Sequence, residues 1–418
     1  MKFSRHLIRC SLLLTAGLVL SACGPALDAE QPQTEQPAEQ PASDPASPVP
    51  AASPSPESSP AQPKTFAATP ANAYRVETVV EGLQVPWAIE ALPDGSFLIT
   101  ERPGRLRQLR DGQLSAPIPG VPPVVDQGEG GLMDLALHPD FQQNQWIYLS
   151  HVVRGDQGDL RTRVSRFRFS ESGLTEPQVI FAGVPGTAGA THFGSRLAFG
   201  PDGKLYITLG ERGDPPRSQD LLDLNGKTLR LNDDGSIPAD NPYVGRSDAR
   251  PEIFSYGHRN AQGIAFQPGT GLMFQTEHGP SGYDGRRGGD EVNVVEAGRN
   301  YGWPEISYDQ RAPGMLPPLL LYDEAIAPAG ATFYTGTAFP EWQNDFFFAN
   351  LRGQTLVRVV LNGSQVVGQE RLLERQYGRL RDVAQGLDGF LYITTSDNDG
   401  YGAGRAGGDR IIRLVPAS

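Results

Sequence analysis

Cysteine is almost missing from this chain: 418 residues contain only Cys10 and Cys23. From Gly24 onward there is no thiol, so a cysteine nucleophile, a disulfide framework and a cysteine-ligated zinc are all excluded from the folded part. Histidine is nearly as scarce, at six residues, so each position invites a question. Positive charge is in deficit, with 36 Lys and Arg against 48 Asp and Glu and a net charge of −12. That balance disfavours nucleic acid or anionic lipid as the main partner, and any anionic ligand must be held by local clusters of cations. Glycine and proline are plentiful, at 49 and 37 residues, beside 38% hydrophobic content. The implied class is globular, turn-rich and all-β, with a large core.

The opening "MKFSRHLIRCSLLLTAGLVLSAC" places Lys2, Arg5 and Arg9 ahead of an apolar stretch too short and too near the terminus for an ordinary membrane span. It reads as an export signal over 1–22. Leu20-Ser21-Ala22-Cys23 resembles the lipobox of bacterial lipoproteins, in which cleavage precedes a cysteine that is then acylated. The alternative is a plain signal peptide with a chance cysteine. Loss of the three basic residues takes the charge of the mature chain from −12 to −15. Residues 23–72 form a Pro-, Ala-, Ser- and Gln-rich segment without the apolar content for a core. Extended at ~3.1 Å per residue, it would reach roughly 150 Å as an upper bound. The expected mature protein is therefore exported and lipid-anchored through Cys23 in the cell envelope. A tether holds its 73–418 domain in the periplasm or at the cell surface.

From Tyr74 on, a turn followed by an alternating aromatic and β-branched run occurs six times: "LPDGSFLITE", "HPDFQQNQWIYLSH", "GPDGKLYITLGE", "QPGTGLMFQTEH", "FPEWQNDFFFANL" and "LDGFLYITTSD". The repeats lie 46 to 72 residues apart. Such intervals suit four-stranded blades that must stack to bury their faces, which predicts a six-bladed β-propeller. "YRVETVV" is available to supply the fourth strand of the last blade and close the ring. The competing reading is a β-sandwich with irregular repeats.

Several segments fall where propeller loops gather. In "EIFSYGHRNAQGIAF", Arg259 and Asn260 set a permanent cation and an amide at a loop-to-strand junction. In "TEHGPSGYDGRRGGDEVNV", Gly279 and Pro280 open a Gly-rich loop whose carbonyls can turn inward as hard oxygen ligands, and Asp290 and Glu291 add carboxylates. In "YGRLRDVAQG", Arg379 and Arg381 stand two apart in an expected strand, so both side chains share a face, an arrangement suited to a polycarboxylate or phosphate. Taken singly, Arg259 reads equally as a salt-bridged loop residue, the arginine pair as a solvated strand face, and Gly279-Pro280 as a simple turn. His138 reads as a turn residue, while spacing leaves His151, His258 and His278 undecided.

Taken in order, "HFGSRLAFGPDGKLYITLGE", "LNGKTLRLNDDGSIPADNP", "SYGHRNAQGIAF", "EHGP", "GGDEVNVVEAGRNYGWP" and "RLRDV" resemble the soluble quinoprotein sugar dehydrogenases, the aldose, glucose and sorbosone dehydrogenase family. The resemblance spans about Tyr74 to Val415. It implies a six-bladed propeller holding pyrroloquinoline quinone (PQQ) and Ca²⁺ on its axis, and oxidation of the anomeric carbon of an aldose with electrons passed to an external acceptor. It implies His192 as the base that takes the anomeric proton, Arg259 near the quinone oxygen and substrate, and Asn260 beside the cofactor. Gly279 and Pro280 become carbonyl ligands of the active-site Ca²⁺, Glu291 and Tyr301 belong to a further calcium site, and Arg379 with Arg381 faces the cofactor carboxylates. Glu129 stands where glucose-oxidising members carry Gln, and Arg352 where Lys is common; both are cofactor-contact candidates. Thr191 precedes the catalytic position, where an acid or amide is usual. The loop "SGYDGRRGG" is longer than the family norm, and "YDEAIAPAG" lacks the aromatic wall that some relatives set near the sugar. Two other functions remain open: a calcium-dependent lactonase on the same fold, which would leave the arginine pair without a purpose, and a non-catalytic carbohydrate- or protein-binding propeller.

Overall fold

The computed structural model describes Thr69 and residues 73–404 and 407–417. The signal, Cys23 and the tether fall outside these except for Thr69. The described chain forms six four-stranded antiparallel sheets. Helix among the described residues is limited to the single turns Phe141–Asn144, Pro215–Ser218 and Pro340–Trp342. None is long and apolar enough to cross a membrane.

The first strand of each sheet, Pro86–Ala91, Leu132–Leu137, Leu197–Phe199, Ala261–Phe266, Pro328–Phe333 and Leu380–Gln385, touches its counterparts in the neighbouring sheets. These six therefore ring the axis of a six-bladed propeller. The N-terminal strand Tyr74–Glu81 pairs antiparallel with Arg410–Pro416 at the outer edge of the sixth blade, with Tyr74 opposite Pro416 and Glu81 opposite Arg410.

The repeated turns explain why the blades form where they do. In "PDGS", "PDGK" and "LDGF" an aspartate caps the backbone N–H two residues on, Asp94 for Ser96 at 2.9 Å, Asp202 for Lys204 at 3.1 Å and Asp388 for Phe390 at 3.1 Å. Tyr206 and Tyr392 donate back to Asp202 and Asp388 at 2.9 and 2.7 Å, locking the first two strands of the third and sixth blades in register. Large apolar residues from adjacent blades then interleave between the sheets. Between the last two blades, Phe339 stacks on the fully buried Trp342 at 4.0 Å.

On the axis a single cation joins five blades. Arg196, just before the inner strand of the third blade, meets Asp134 of the second at 2.9 Å and Asp382 of the sixth at 3.2 Å. Its Nε donates to the carbonyl of Gln262 in the fourth at 2.8 Å, and its guanidinium lies 4.5 Å over Trp87 of the first. The carboxylates also accept backbone N–H groups, Asp134 from Leu197 at 2.6 Å and Asp382 from Ile89 at 3.0 Å. Burial raises the pKa of both acids, because one guanidinium cannot offset desolvation of two carboxylates that also repel each other.

Lys227, at the start of the strand Lys227–Leu231, is fully buried and donates only to the carbonyls of Arg217 and Asn225, each at 2.8 Å. Burial pushes its pKa down to about 7. A lysine depressed in the folded state binds fewer protons there than in the unfolded chain, so folding stability should rise as pH climbs from about 7 toward the unfolded value near 10. Urea midpoints at pH 7 and pH 9.5 check this. The gain at alkaline pH should shrink in Lys227→Met, and an identical gain in both proteins would remove Lys227 as its source.

Candidate active site

A cleft of about 490 Å³ opens at one mouth of the axis. Its wall includes Glu129, Gly279, Pro280, Arg352, Arg379 and Arg381, all singled out in the sequence, His278, which spacing left undecided, and Arg102, Gln262, Asp399 and Tyr401, which were not singled out. The two-residue spacing of Arg379 and Arg381 does send both side chains into one space. Arg379 pairs with Asp399 at 2.8 Å, while Arg381 donates to Gln262 at 2.6 Å and approaches Asp399 at 3.7 Å. Burial, with Arg379 and Arg196 adding repulsion against the attraction of Asp399, pulls the Arg381 pKa down to about 10. Among the described residues its buried Nε has no hydrogen-bond partner. A guanidinium held at that disadvantage favours an anionic partner in the cleft.

His192 sits beside this cleft on a strained piece of backbone, with His192, Gly194 and Ser195 all left-handed at φ of 50°, 61° and 76°. The hairpin partner comes close because residue 210 is glycine: a Cβ there would lie 2.0 Å from the His192 carbonyl. One residue on, Glu211 reaches His192 Nδ1 at 2.7 Å. An ionised carboxylate only accepts, so Nδ1 carries the proton and Nε2 the lone pair. The His192 backbone N–H donates to Glu129 at 2.8 Å, and the Arg212 guanidinium donates to the Thr191 carbonyl. Asn260 does not reach the cleft; its side-chain oxygen accepts from Gly194 N–H at 3.0 Å and fixes the same turn.

Neither His192 nor Arg259 is among the residues lining the cleft, although Phe193 and Gly194, next to His192, are. The long loop intervenes. Tyr283 Oη lies 2.9 Å from His192 Nε2, and Asp284 pairs with Arg259 at 2.7 Å, with Ser281 Oγ accepting from the same guanidinium at 3.0 Å. His278, which spacing left undecided, faces the cleft instead. Burial, then the nearby Arg259, Arg381 and His192, pushes its pKa well below the ordinary value, so it is neutral, and its Nε2 is buried without a partner.

The expected metal ligands divide. Gly279 and Pro280 border both the cleft and a small crevice of about 10 Å³ that Arg259, Glu291 and Tyr301 share. A Cβ at Gly279 would lie 2.3 Å from the carbonyl oxygens of Gly288 and Gly289, so only glycine fits where this turn packs on that backbone, and the Pro280 carbonyl accepts Gly288 N–H at 3.1 Å. The Tyr301 hydroxyl, however, donates to the Val294 carbonyl at 2.6 Å and accepts from Glu296 N–H at 2.9 Å, which leaves it committed to its own hairpin. Glu291 accepts from Asn293 at 3.1 Å, and burial, followed by repulsion from Glu277, lifts its pKa to about 8. Among the described residues no three His, Cys, Asp or Glu side chains converge as a metal-binding group. A cation here would rest mainly on carbonyls.

Glu211, Tyr283, Asp284 and Asp399 are the functional groups missed in the sequence. One signal was available for Glu211: the hairpin register Leu197 opposite Ile207, continued outward, brings residues 211 and 212 level with His192.

Fold and site define the class: a six-bladed propeller enzyme whose cationic cleft adjoins a histidine–carboxylate pair. The profile of the glucose/sorbosone dehydrogenases matches residues 83–404. The aldose sugar dehydrogenase YliI of Escherichia coli is 40% identical over 350 residues, covering 80% of this chain and 92% of its own. Quinoprotein glucose dehydrogenase B of Acinetobacter calcoaceticus is 32% identical over 59% of this chain and 55% of its own. The PQQ-bound aldose sugar dehydrogenase of Streptomyces coelicolor superposes with a TM-score of 0.70 at 33% identity, over 83% of this chain and 99% of that structure. The chain belongs to the glucose/sorbosone dehydrogenase family.

Proposed function

We propose that this protein is an exported, lipid-anchored quinoprotein that oxidises the anomeric carbon of aldoses to lactones and passes the electrons to an external acceptor. The names of the Acinetobacter and Streptomyces relatives support the quinone, and that of the Escherichia coli relative supports an aldose substrate. The observation that carries the reading is the cleft itself, which holds buried, under-partnered Arg381 and its neighbour Arg379 and is lined by Phe193 and Gly194, next in the chain to the His192 that pairs with Glu211.

The cations lining the cleft fit the carboxylates of the quinone, and for Ca²⁺ the 279–289 loop offers backbone carbonyls rather than side chains. Arg102, Arg379 and Arg381 would hold the carboxylates of pyrroloquinoline quinone, and the carbonyls around Gly279 and Pro280 would hold Ca²⁺. When bound, the quinone supplies a two-electron acceptor for the C1 hydride, with calcium as its Lewis acid. The chain does the rest. His192 Nε2 takes the proton from the anomeric hydroxyl, and Glu211 keeps Nδ1–H in place and stabilises the imidazolium that forms. Arg259, a fixed cation, offsets negative charge developing near the substrate. Asn260 and Glu129 hold the His192 turn from both sides. Acyl chains on Cys23 and the 24–72 segment would keep the domain in the envelope, within reach of sugars and redox partners.

The test is dye reduction by the purified protein with an aldose panel, with and without added quinone, Ca²⁺ and chelator. Turnover requiring both additions is expected. Failure to bind quinone would overturn the dehydrogenase reading and leave a lactonase or a binding propeller.

A further inference from the structure

Two neighbouring side chains of the long loop cover two groups on which the proposed chemistry depends. Tyr283 donates to His192 Nε2 at 2.9 Å with the two rings within 21° of parallel, and Asp284, next in the chain, holds Arg259 at 2.7 Å. Because Glu211 fixes the proton on Nδ1, the phenol makes at Nε2 the bond that an anomeric hydroxyl must make there before it can lose its proton. Tyr283 is nevertheless 68% exposed, which sets it apart from the buried tyrosines of the blades. A second open ring, Tyr401, lines the cleft, 61% exposed, 5.7 Å from the Arg379 guanidinium and within 3.5 Å of Glu129, the same side chain that accepts His192 N–H. Exposed aromatic faces at a cleft rim are the surfaces on which the C–H face of a pyranose can pack.

We propose that Tyr283 is a specificity-determining residue of the sugar site: its hydroxyl holds His192 Nε2 until the substrate's anomeric hydroxyl displaces it, and its ring then forms one wall of the pocket. This rests on His192 being the base. The loop thus supplies from the fourth blade an aromatic wall that "YDEAIAPAG" does not. A sugar lacking a free anomeric hydroxyl cannot displace the phenol, so alkyl glycosides should bind poorly as well as fail to react.

Tyr283→Phe and Tyr283→Ala test this in the full-length protein. In Tyr283→Phe, loss of one neutral hydrogen bond should speed acylation of His192 by diethyl pyrocarbonate, read by peptide mass spectrometry without quinone or metal, by roughly threefold to tenfold. KM for aldoses should fall by a similar factor, with kcat changing less than about twofold. Tyr283→Ala removes the wall as well, so KM should rise and the order of preference among aldoses should change. An unchanged acylation rate and KM in Tyr283→Phe would overturn the proposal, and so would a collapse of kcat, which would make the phenol a proton carrier. Acylation is read without turnover, so it separates this idea from its premise: a His192→Asn protein with full activity would sink the base assignment alone.

Discussion

Replacing His192 by alanine is expected to cut aldose-dependent dye reduction by about two orders of magnitude or more while quinone binding persists. The argument runs from backbone to proton. A left-handed turn carries the imidazole to the mouth of the axis, and Gly210 allows the hairpin close enough for Glu211 to take Nδ1. Nε2 is then the only basic atom the ring can offer. Arg379 and Arg381 belong to the sixth blade and bond to Asp399 and Gln262 rather than to His192, so quinone binding through the proposed arginine pair should survive the substitution. Quinone titration followed by absorbance, beside steady-state kinetics, separates the two effects. Unchanged turnover would remove His192 from the mechanism, and joint loss of binding and turnover would make it a structural residue of the cleft.

Arg196→Met should destabilise the folded protein by roughly 3–5 kcal/mol, the scale for removing one partner of a buried ion pair. Arg196, Asp134 and Asp382 are all at most 6% exposed. Removing the cation leaves two buried carboxylates whose pKa values burial already raises. An acid with a raised folded pKa favours the fold at low pH and loses that contribution as pH rises from its unfolded toward its folded value. The penalty of the substitution should therefore be larger at pH 8 than at pH 5, where protonation relieves the orphaned acids. Denaturant unfolding at the two pH values measures both quantities. Wild-type stability at pH 8 would show that apolar contacts between blades close the ring without this clamp.

Local periodicity was the most legible part of the sequence. Six turn-plus-strand repeats become six blades because an Asp-Gly or Pro turn and a period of two are short-range properties that stacking reinforces. Arg379 and Arg381 share a cleft because residues two apart on a strand share a face. Histidine function was less legible. His192 with Glu211 and His258 with Glu277 are pairs with the same separation on successive blades, each with Nδ1 against a carboxylate. Their other partners distinguish them: the exposed Tyr283 at Nε2 for His192, and for the fully buried His258 Ser255 Oγ at Nε2 at 2.8 Å with Gln275 also at Nδ1 at 3.1 Å. Spacing carries no record of that difference. Arg259 was legible as a cation at a loop-to-strand junction, but its partner Asp284, 25 positions on in the long loop, was not.

By itself the sequence determined the all-β class, the number of blades, the absence of sulfur chemistry from the domain and the pairing of two arginines, since each follows from composition or from contacts a few residues apart. Only the tertiary structure decided that Glu211 orients His192, that Tyr283 and Asp284 cover His192 and Arg259, and that Arg196 clamps the axis. The axial contacts join different blades, as when Ile89 N–H donates to Asp382, 293 positions away, and the His192 contacts depend on the exact path of a hairpin and a long loop. Their geometry exists only after apolar burial has stacked the blades and closed the ring, because no local hydrogen bond or propensity holds such groups together in the unfolded chain.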